Sequence, residues 1–175
     1  MAALLYLIDT LLSLAQLCFL LRLLLQWARA DFRNPLSRAI VQLTSPVLAP
    51  LRRVLPAIGR VDTASVVVVI ALGLLRTSMA TLLGGVGFPP LLWLIELTAL
   101  ELVRQILWVY FFAIVLYAAL SFIAPGSYSP AQALLTSLCE PVLRPFRRLI
   151  PPLANLDLSP LWAGILIQAL LILVR

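Results

Sequence analysis

The sequence contains no lysine and no histidine, and only 11% of its 175 residues are charged. Soluble domains carry about 25% charged residues, so this composition excludes an ordinary soluble protein. The lack of histidine removes imidazole as a general base, as the partner of a serine nucleophile and as a zinc or haem ligand. We therefore expect no enzymatic activity, no metal and no cofactor.

Cysteines are also few: Cys18 lies in an apolar stretch and Cys139 in a basic one. They form no C-x-x-C motif and no disulfide framework, so we interpret them as buried or inert thiols. The first apolar stretch lacks a positively charged leader, and Asp9 interrupts it. We therefore expect a permanent membrane span there rather than a cleaved signal peptide.

Apolar residues dominate, at 63% of the chain with a mean hydropathy of +1.09. A helix needs roughly 20 apolar residues to cross the hydrocarbon core of a bilayer. The sequence predicts an all-α integral membrane protein with four transmembrane helices. Their predicted bounds are 3–28, 64–83, 98–123 and 159–174.

All 13 basic residues are arginine, and the net charge is +6. Because the arginines flank apolar spans, we expect contact with anionic lipid headgroups and no nucleic-acid partner. Residues 28–62 carry six arginines and 125–157 carry three, whereas 84–103 carry none. Arginine-rich loops favour the cytoplasmic side, which predicts an inner (plasma) membrane protein with both termini in the periplasm.

A short motif occurs twice: PVLAPLRRVLP at 46–56 returns as PVLRPFRRLIP at 141–151, 95 residues later. Eight of the 17 aligned positions from residue 46 onward are identical. In the same register, Asn34-Pro35 aligns with Ser129-Pro130, a pattern typical of an N-cap followed by proline at the first helical position. The offset predicts two tandem repeats of the same topology.

The first predicted repeat covers 1–83, a connector covers 84–97, and the second repeat covers 98–175. Each repeat has a short amphipathic helical segment at the cytoplasmic interface, at 34–56 and 129–151. Because proline disrupts helix interiors, we expect the prolines to forbid a long helix and to fix its ends. The predicted structural motif consists of Asn34, Pro35, Pro46, Pro50, Pro56, Asp62, Pro141, Pro145, Pro151 and Asp157.

The PxxxPxRR segments are the main candidate site. If the first is helical, Leu48, Leu51, Val54 and Leu55 share one apolar face, which suits the headgroup layer. Arginine binds phosphate or carboxylate with paired donors. Two interpretations stay open: the arginines only anchor the topology, or they bind anionic lipid or an acidic partner. The candidate binding residues are Arg52, Arg53, Arg147 and Arg148.

Polar residues inside the predicted spans form a second set of candidates, because such residues are costly in a bilayer. They are Asp9, Arg22, Gln26, Arg76 and Arg104. The offset aligns Asp9 with Arg104, which predicts an ion pair if the repeats pack about a twofold axis. Interhelical hydrogen bonds are the simpler role, and an ion path lined by these groups is the alternative.

The stretches LRLLLQWARADFRNPLSRAIVQLTSPVLAPLRRVLPAIGRVDTAS and EPVLRPFRRLIPPLANLDLSP resemble the YggT family, small bacterial inner-membrane proteins with plastid relatives. The resemblance covers nearly the whole chain and brings no catalytic residues with it. It implies a multispanning protein linked to osmotic-stress tolerance and ion homeostasis.

Two hypotheses of function follow. The first is a non-enzymatic scaffold or assembly factor that binds membrane lipids or a membrane or cytoplasmic protein. The second is an ion channel or transporter, which would need a homo-oligomer because four spans per chain are few for a pore.

Overall fold

A computed structural model describes residues 2–58, 61–85, 87, 89–123, 129–149 and 157–174. The predicted all-α class is confirmed, and the residues described contain no strand. The helices are α1 (Ala2–Trp27), α2 (Pro35–Val54), α3 (Thr63–Leu83), α4 (Leu91–Ile123), α5 (Pro130–Leu149) and α6 (Ser159–Leu173).

Three helices are long and apolar enough to cross a membrane: α1 over Ala3–Trp27, α3 and α4. They identify the chain as a membrane protein. Helix α6 is apolar but has 15 residues. At a rise of about 1.5 Å per residue it is roughly 22 Å long, less than a hydrocarbon core of about 30 Å. The fourth span therefore stays a prediction.

Helix α4 begins earlier than the predicted third span. Residues 91–97, which the sequence analysis assigns to the connector, are helical, and α4 has 33 residues. No helix breaker follows Pro90, so the leucine-rich start continues into the span. The Thr98 hydroxyl lies 3.2 Å from the Thr77 hydroxyl, which places the early turns of α4 beside the end of α3.

Helices α2 and α5 run through prolines that were predicted to break them. Pro46 and Pro50 lie inside α2, and Pro141 and Pro145 lie inside α5, so that prediction is wrong. In α2 the two prolines are four residues apart and exposed, so the carbonyls they leave unpaired lie on the exposed side. Packing of the opposite side stabilises the helix in spite of them.

The predictions for the last proline of each motif, Pro56 and Pro151, have different outcomes. Pro56 follows the end of α2 at Val54, in agreement with a stop at this point. Pro151 lies outside the described residues.

The predicted apolar face of the first basic segment is buried at some positions and exposed at others. Leu48 is fully buried, whereas Val54 is 78% exposed. Because α2 is one continuous helix, its protein-facing side carries Ser37, Thr44 and Leu48. A second apolar stripe remains exposed along the same helix: Leu36, Leu43, Val47 and Val54.

The predicted caps of both basic helices are confirmed. The Asn34 carboxamide oxygen accepts a hydrogen bond from the Leu36 amide at 2.9 Å. The Ser129 hydroxyl accepts one from the Gln132 amide at 3.1 Å. Each side chain satisfies a free amide in the first turn of its helix. The Asn34 amide also donates to the Pro130 carbonyl at 2.6 Å.

The chain divides into two compact units. Unit 1 contains Met1–Leu23 and Ile40–Val103, and unit 2 contains Leu24–Ala39 and Arg104–Arg175. The predicted division into repeats at 1–83 and 98–175 stays a prediction.

The core of unit 1 depends on a close approach at Gly73 in α3. A Cβ atom there would lie 2.9 Å from Thr98 Cγ2 and 3.0 Å from Gln16 Nε2. Only glycine leaves room for α1 and α4 at this point. In unit 2, α5 packs against α6. The core of unit 2 includes Tyr110, Ile114, Cys139, Leu143, Ala163 and Ile167.

Candidate functional site

The first PxxxPxRR segment is attached to the start of α3 by an ion pair. The Arg52 guanidinium donates to both carboxylate oxygens of Asp62, from Nε to Oδ1 at 3.3 Å and from Nη2 to Oδ2. The Ser65 hydroxyl donates to the same Oδ2 at 2.7 Å. We call Arg52, Asp62 and Ser65 the first clasp. It joins the end of α2 to the beginning of the following span.

Asp62 is the buried centre of this clasp, with only 4% of its side chain exposed. Burial alone raises the pKa of Asp62, but the hydrogen bonds from Arg52 and Ser65 and the charges of Arg52 and Arg22 outweigh it. The net result is a lowered pKa. Asp62 is the N-cap residue of α3, yet its side chain caps no backbone amide. The carboxylate is bonded to Arg52 and Ser65 instead.

The second segment carries the same connection. The Arg147 Nε donates to Asp157 at 2.9 Å, and Asp157 accepts the Ser159 amide at 2.9 Å. Arg147 also donates to Glu140 at 2.7 Å and to the Tyr117 hydroxyl at 2.8 Å. We call Arg147, Asp157, Glu140 and Tyr117 the second clasp. It is more open than the first, since 38% of the Asp157 side chain is exposed.

The pKa of Asp157 is also lowered. Burial raises it, but the polar groups of Ser159, whose amide donates to the carboxylate, and the bond and charge of Arg147 exceed that effect. Both aspartates of the predicted motif are thus ionised partners of an arginine.

The four candidate binding arginines divide into two pairs. Arg52 and Arg147 are engaged by aspartate within the protein. Arg53 and Arg148, the next residue in each copy, are exposed. Within the described part of the chain, neither has an ion pair. An external anion can reach Arg53 and Arg148, whereas Arg52, although 44% exposed, and Arg147 are bonded to aspartate and fix the helices that carry them.

The polar residues of the spans meet in a second cluster, within unit 1. The Arg76 Nε donates to Asp9 at 3.0 Å, and its Nη1 donates to the Gln16 side chain at 2.9 Å. Gln16 donates in turn to the Val69 carbonyl at 3.3 Å. These bonds tie α1 to α3 across the apolar region.

This cluster gives Asp9 a partner within unit 1. Asp9 pairs with Arg76, and the predicted pair of Asp9 with Arg104 stays a prediction. Arg104 donates to the Val174 carbonyl at 2.9 Å, at the end of α6. The 95-residue offset aligns Asp9 and Arg104 in sequence, but it does not decide which helices pack together.

Arg22 and Gln26 lie near the end of α1. Arg22 Nη1 donates to the Thr44 hydroxyl of α2 at 2.5 Å. Its Nε lies 4.0 Å from Asp62 Oδ2. Gln26 is half-buried in the last turn. Arg22 therefore belongs beside the first clasp, a connection that the sequence analysis did not make.

Known proteins resemble this chain over nearly its whole length. A family model described as CCB3/YggT matches residues 1–83 and 96–175. The chain belongs to the CCB3/YggT family. An uncharacterized protein of Pseudomonas aeruginosa is 43% identical over 178 residues, covering 98% of this chain and 88% of the relative. The resemblance to the YggT family is confirmed.

Two further relatives have comparable coverage. The uncharacterized protein YggT of Escherichia coli strain K12 is 37% identical over 161 residues, covering 92% of this chain and 83% of the relative. An uncharacterized protein of Vibrio alginolyticus is 38% identical over 159 residues, covering 89% and 84%. No solved structure matches the chain. The names of these CCB3/YggT relatives assign no activity.

The sequence contained a signal for the clasps. Arg52 and Asp62 are ten residues apart, and so are Arg147 and Asp157. Opposite charges that recur at one spacing in two copies indicate a pair. Glu140 and Tyr117 have no counterpart in the first copy, where Ser45 and Arg22 stand, so no repeated pattern marked them.

Proposed function

We propose that this protein is a non-enzymatic scaffold or assembly factor of the inner membrane, in which α2 and α5 lie at the cytoplasmic interface and bind anionic lipid. One observation carries the proposal. In each PxxxPxRR segment the first arginine is held by an aspartate, while Arg53 or Arg148 beside it is exposed. The engaged arginine fixes the helix against the protein, and the exposed arginine beside it stays available to an external anion.

The faces of α2 support an interfacial position. Its exposed apolar stripe contains Leu43 and Val54, which are 69% and 78% exposed. The exposed arginines Arg38 and Arg53 occupy the polar side of the same helix. A helix with one apolar and one cationic side favours the boundary between acyl chains and headgroups. In α5, Arg144 and Arg148 are exposed one turn apart.

The proposed topology has four spans, with α6 as the fourth, in two tandem repeats of the same orientation. The two stretches matched by the family model support the repeat, since they begin at residues 1 and 96, again 95 apart. The arginine distribution supports cytoplasmic α2 and α5 and periplasmic termini. A role in osmotic-stress tolerance rests on the family resemblance alone.

The exposed and the engaged arginines provide matched variants. Arg53→Gln with Arg148→Gln removes two exposed charges, each worth about 1 kcal/mol near an anionic surface. We expect retention on phosphatidylglycerol liposomes in neutral detergent to fall about 30-fold. Retention on phosphatidylcholine liposomes is the baseline.

Arg147→Gln, compared with Arg148→Gln alone, is the control with the same change of charge. We expect Arg147→Gln to lower stability more than Arg148→Gln does, because it breaks the bonds to Asp157 and Glu140, and to reduce lipid retention less in the fraction that stays folded. Retention of the Arg53 and Arg148 variant at the level of the unmodified protein contradicts the proposal.

An oligomeric ion channel or transporter for potassium homeostasis is the second candidate, favoured by the Asp9–Arg76–Gln16 cluster in unit 1. The test is potassium and sodium flux in proteoliposomes, with and without an osmotic gradient, for the unmodified protein and Arg76→Ala. Flux that changes with Arg76→Ala supports a channel. A strictly monomeric protein, or no flux from correctly inserted protein, refutes it.

A further inference from the structure

Arg22 is a buried cation with unused hydrogen-bond donors. Its side chain is 7% exposed and lies within α1. Nη1 makes all of its bonds, to the hydroxyl of Thr44 at 2.5 Å and to the Val41 carbonyl and the Ser45 hydroxyl at 3.4 Å each. Among the residues that the structure describes, Nε and Nη2 donate no hydrogen bond. Three N–H groups of one guanidinium are left over.

The nearest carboxylate is already used. Asp62 accepts two bonds from Arg52 and one from Ser65. Arg22 Nε reaches only 4.0 Å from it. Two guanidiniums therefore share one carboxylate, and the cluster carries a surplus of one positive charge, with Arg22 and Asp62 buried and Arg52 at its exposed edge. An uncompensated buried charge is strongly unfavourable, so the arrangement favours a further anion.

We infer that Arg22 and Arg52 form a site for one phosphate oxyanion beside the first clasp. The ligand class is a phosphate group, either the headgroup of an anionic phospholipid or free phosphate. Arginine donors match the oxygens of phosphate in pairs. The Arg52 side chain is 44% exposed and provides the way in. The inference deepens the proposed function and rests on it: it adds one specific lipid site to the general attraction of Arg53 and Arg148.

The second copy shows why the site is single. The 95-residue offset places Tyr117 where the first copy has Arg22, and Glu140 where it has Ser45. Arg147 there faces two carboxylates, Glu140 at 2.7 Å and Asp157 at 2.9 Å. The surplus charge of the second clasp is negative, so it repels phosphate. We expect one tightly bound phosphate group per chain.

The experiment is native mass spectrometry of the full-length protein in neutral detergent, titrated with phosphatidylglycerol. We expect one tightly retained lipid per chain, and Arg22→Gln to weaken its binding about ten- to hundredfold, as for the loss of hydrogen bonds to a charged group. Tyr117→Phe, at the aligned position, is the control and should leave binding unchanged. Equal binding by the unmodified protein and Arg22→Gln overturns the inference.

A second arm identifies the source of the phosphate. Inorganic phosphate is added to the lipid-bound protein and, separately, to lipid-free protein. A lipid that phosphate does not displace supports a headgroup site. Displacement, or retention of phosphate itself in an Arg22-dependent way, supports a site for the free anion.

A gain-of-function variant decides the matter if Arg22→Gln does not fold. Tyr117→Arg combined with Glu140→Ser gives the second copy the two residues, Arg22 and Ser45, that stand at these positions in the first copy, and removes the extra negative charge. We expect a second tightly held phosphatidylglycerol. A folded double variant that still holds one lipid or none overturns the inference.

The experiments distinguish a failure of the proposed function from a failure of the Arg22 site. Loss of Arg53 and Arg148 should reduce liposome retention but leave the single tight lipid in place. If those two arginines have no effect on retention while Arg22→Gln removes the tight lipid, the proposed function fails and the Arg22 site stands.

Discussion

Replacing each clasp aspartate by asparagine compares a buried and an open ion pair within one chain. Asp62→Asn removes a carboxylate that is 4% exposed and leaves the guanidiniums of Arg52 and Arg22 without a counter-charge. Asp157→Asn makes the same chemical change where the carboxylate is 38% and Arg147 32% exposed. The two substitutions have equal volume and polarity, so the difference between them reports the burial of Asp62 together with the counter-charge that Glu140 still gives Arg147 in the second clasp.

The magnitudes follow from that difference. Breaking a buried ion pair from one side costs about 3–5 kcal/mol, and Arg52, at 44% exposure, places this pair at about 3 kcal/mol. An exposed pair is worth about 0–1 kcal/mol because water screens it. We expect Asp62→Asn to be destabilising by about 3 kcal/mol and Asp157→Asn by about 1 kcal/mol or less.

The assay is reversible unfolding of the purified protein in mixed micelles by titration with a denaturing detergent, followed by circular dichroism. The apparent free energy of unfolding is compared for the unmodified protein and both variants. Equal losses, or a larger loss for Asp157→Asn, would refute the assignment of Asp62 as the buried centre of the first clasp.

Three further predictions concern single positions. The folded-state pKa of Asp62 is lowered, so its carboxylate contributes fully to the stability of the fold above its unfolded pKa of about 3.9 and loses this contribution as pH falls through its folded pKa. The difference in unfolding free energy between the unmodified protein and Asp62→Asn should therefore shrink in acid. A difference that grows contradicts the pairing. Gly73→Ala should be destabilising by about 1–3 kcal/mol, because its Cβ meets Thr98 at 2.9 Å, whereas Gly164→Ala, with no atom within 4 Å, should not be; equal effects contradict the close approach. Burial raises the pKa of the Cys139 thiol to about 12, so in a Cys18→Ser background a maleimide should label it only after unfolding, and rapid labelling of folded protein contradicts its burial.

Local chemistry was readable from the sequence. Asn34 and Ser129 were predicted as N-caps because short polar side chains before proline satisfy first-turn amides, and both make those bonds. The all-α class followed from the length and hydropathy of the apolar runs. The interior prolines were misread, because a single-helix rule ignores the packing that stabilises α2 around Pro46 and Pro50.

Partners across helices were not readable. Asp9 and Arg76 were both recognised as polar residues inside predicted spans, but not as partners, and Gln16 was not among the candidate residues. Pairing them required knowing that α1 and α3 approach each other, which Gly73 permits. Periodicity identifies the face of a helix that needs a partner, but the partner itself is determined by three-dimensional packing.

The composition of the two units has a consequence for biosynthesis. All residues of unit 1 lie before position 104, so a growing chain can complete that unit while the rest is still being translated. Unit 2 needs Leu24–Ala39 as well, made at the start of synthesis, and these residues must wait for α5 before Asn34 can bond to Pro130. A gene cut after residue 103 would therefore yield an N-terminal product that contains all of unit 1, and a C-terminal product lacking part of its own fold.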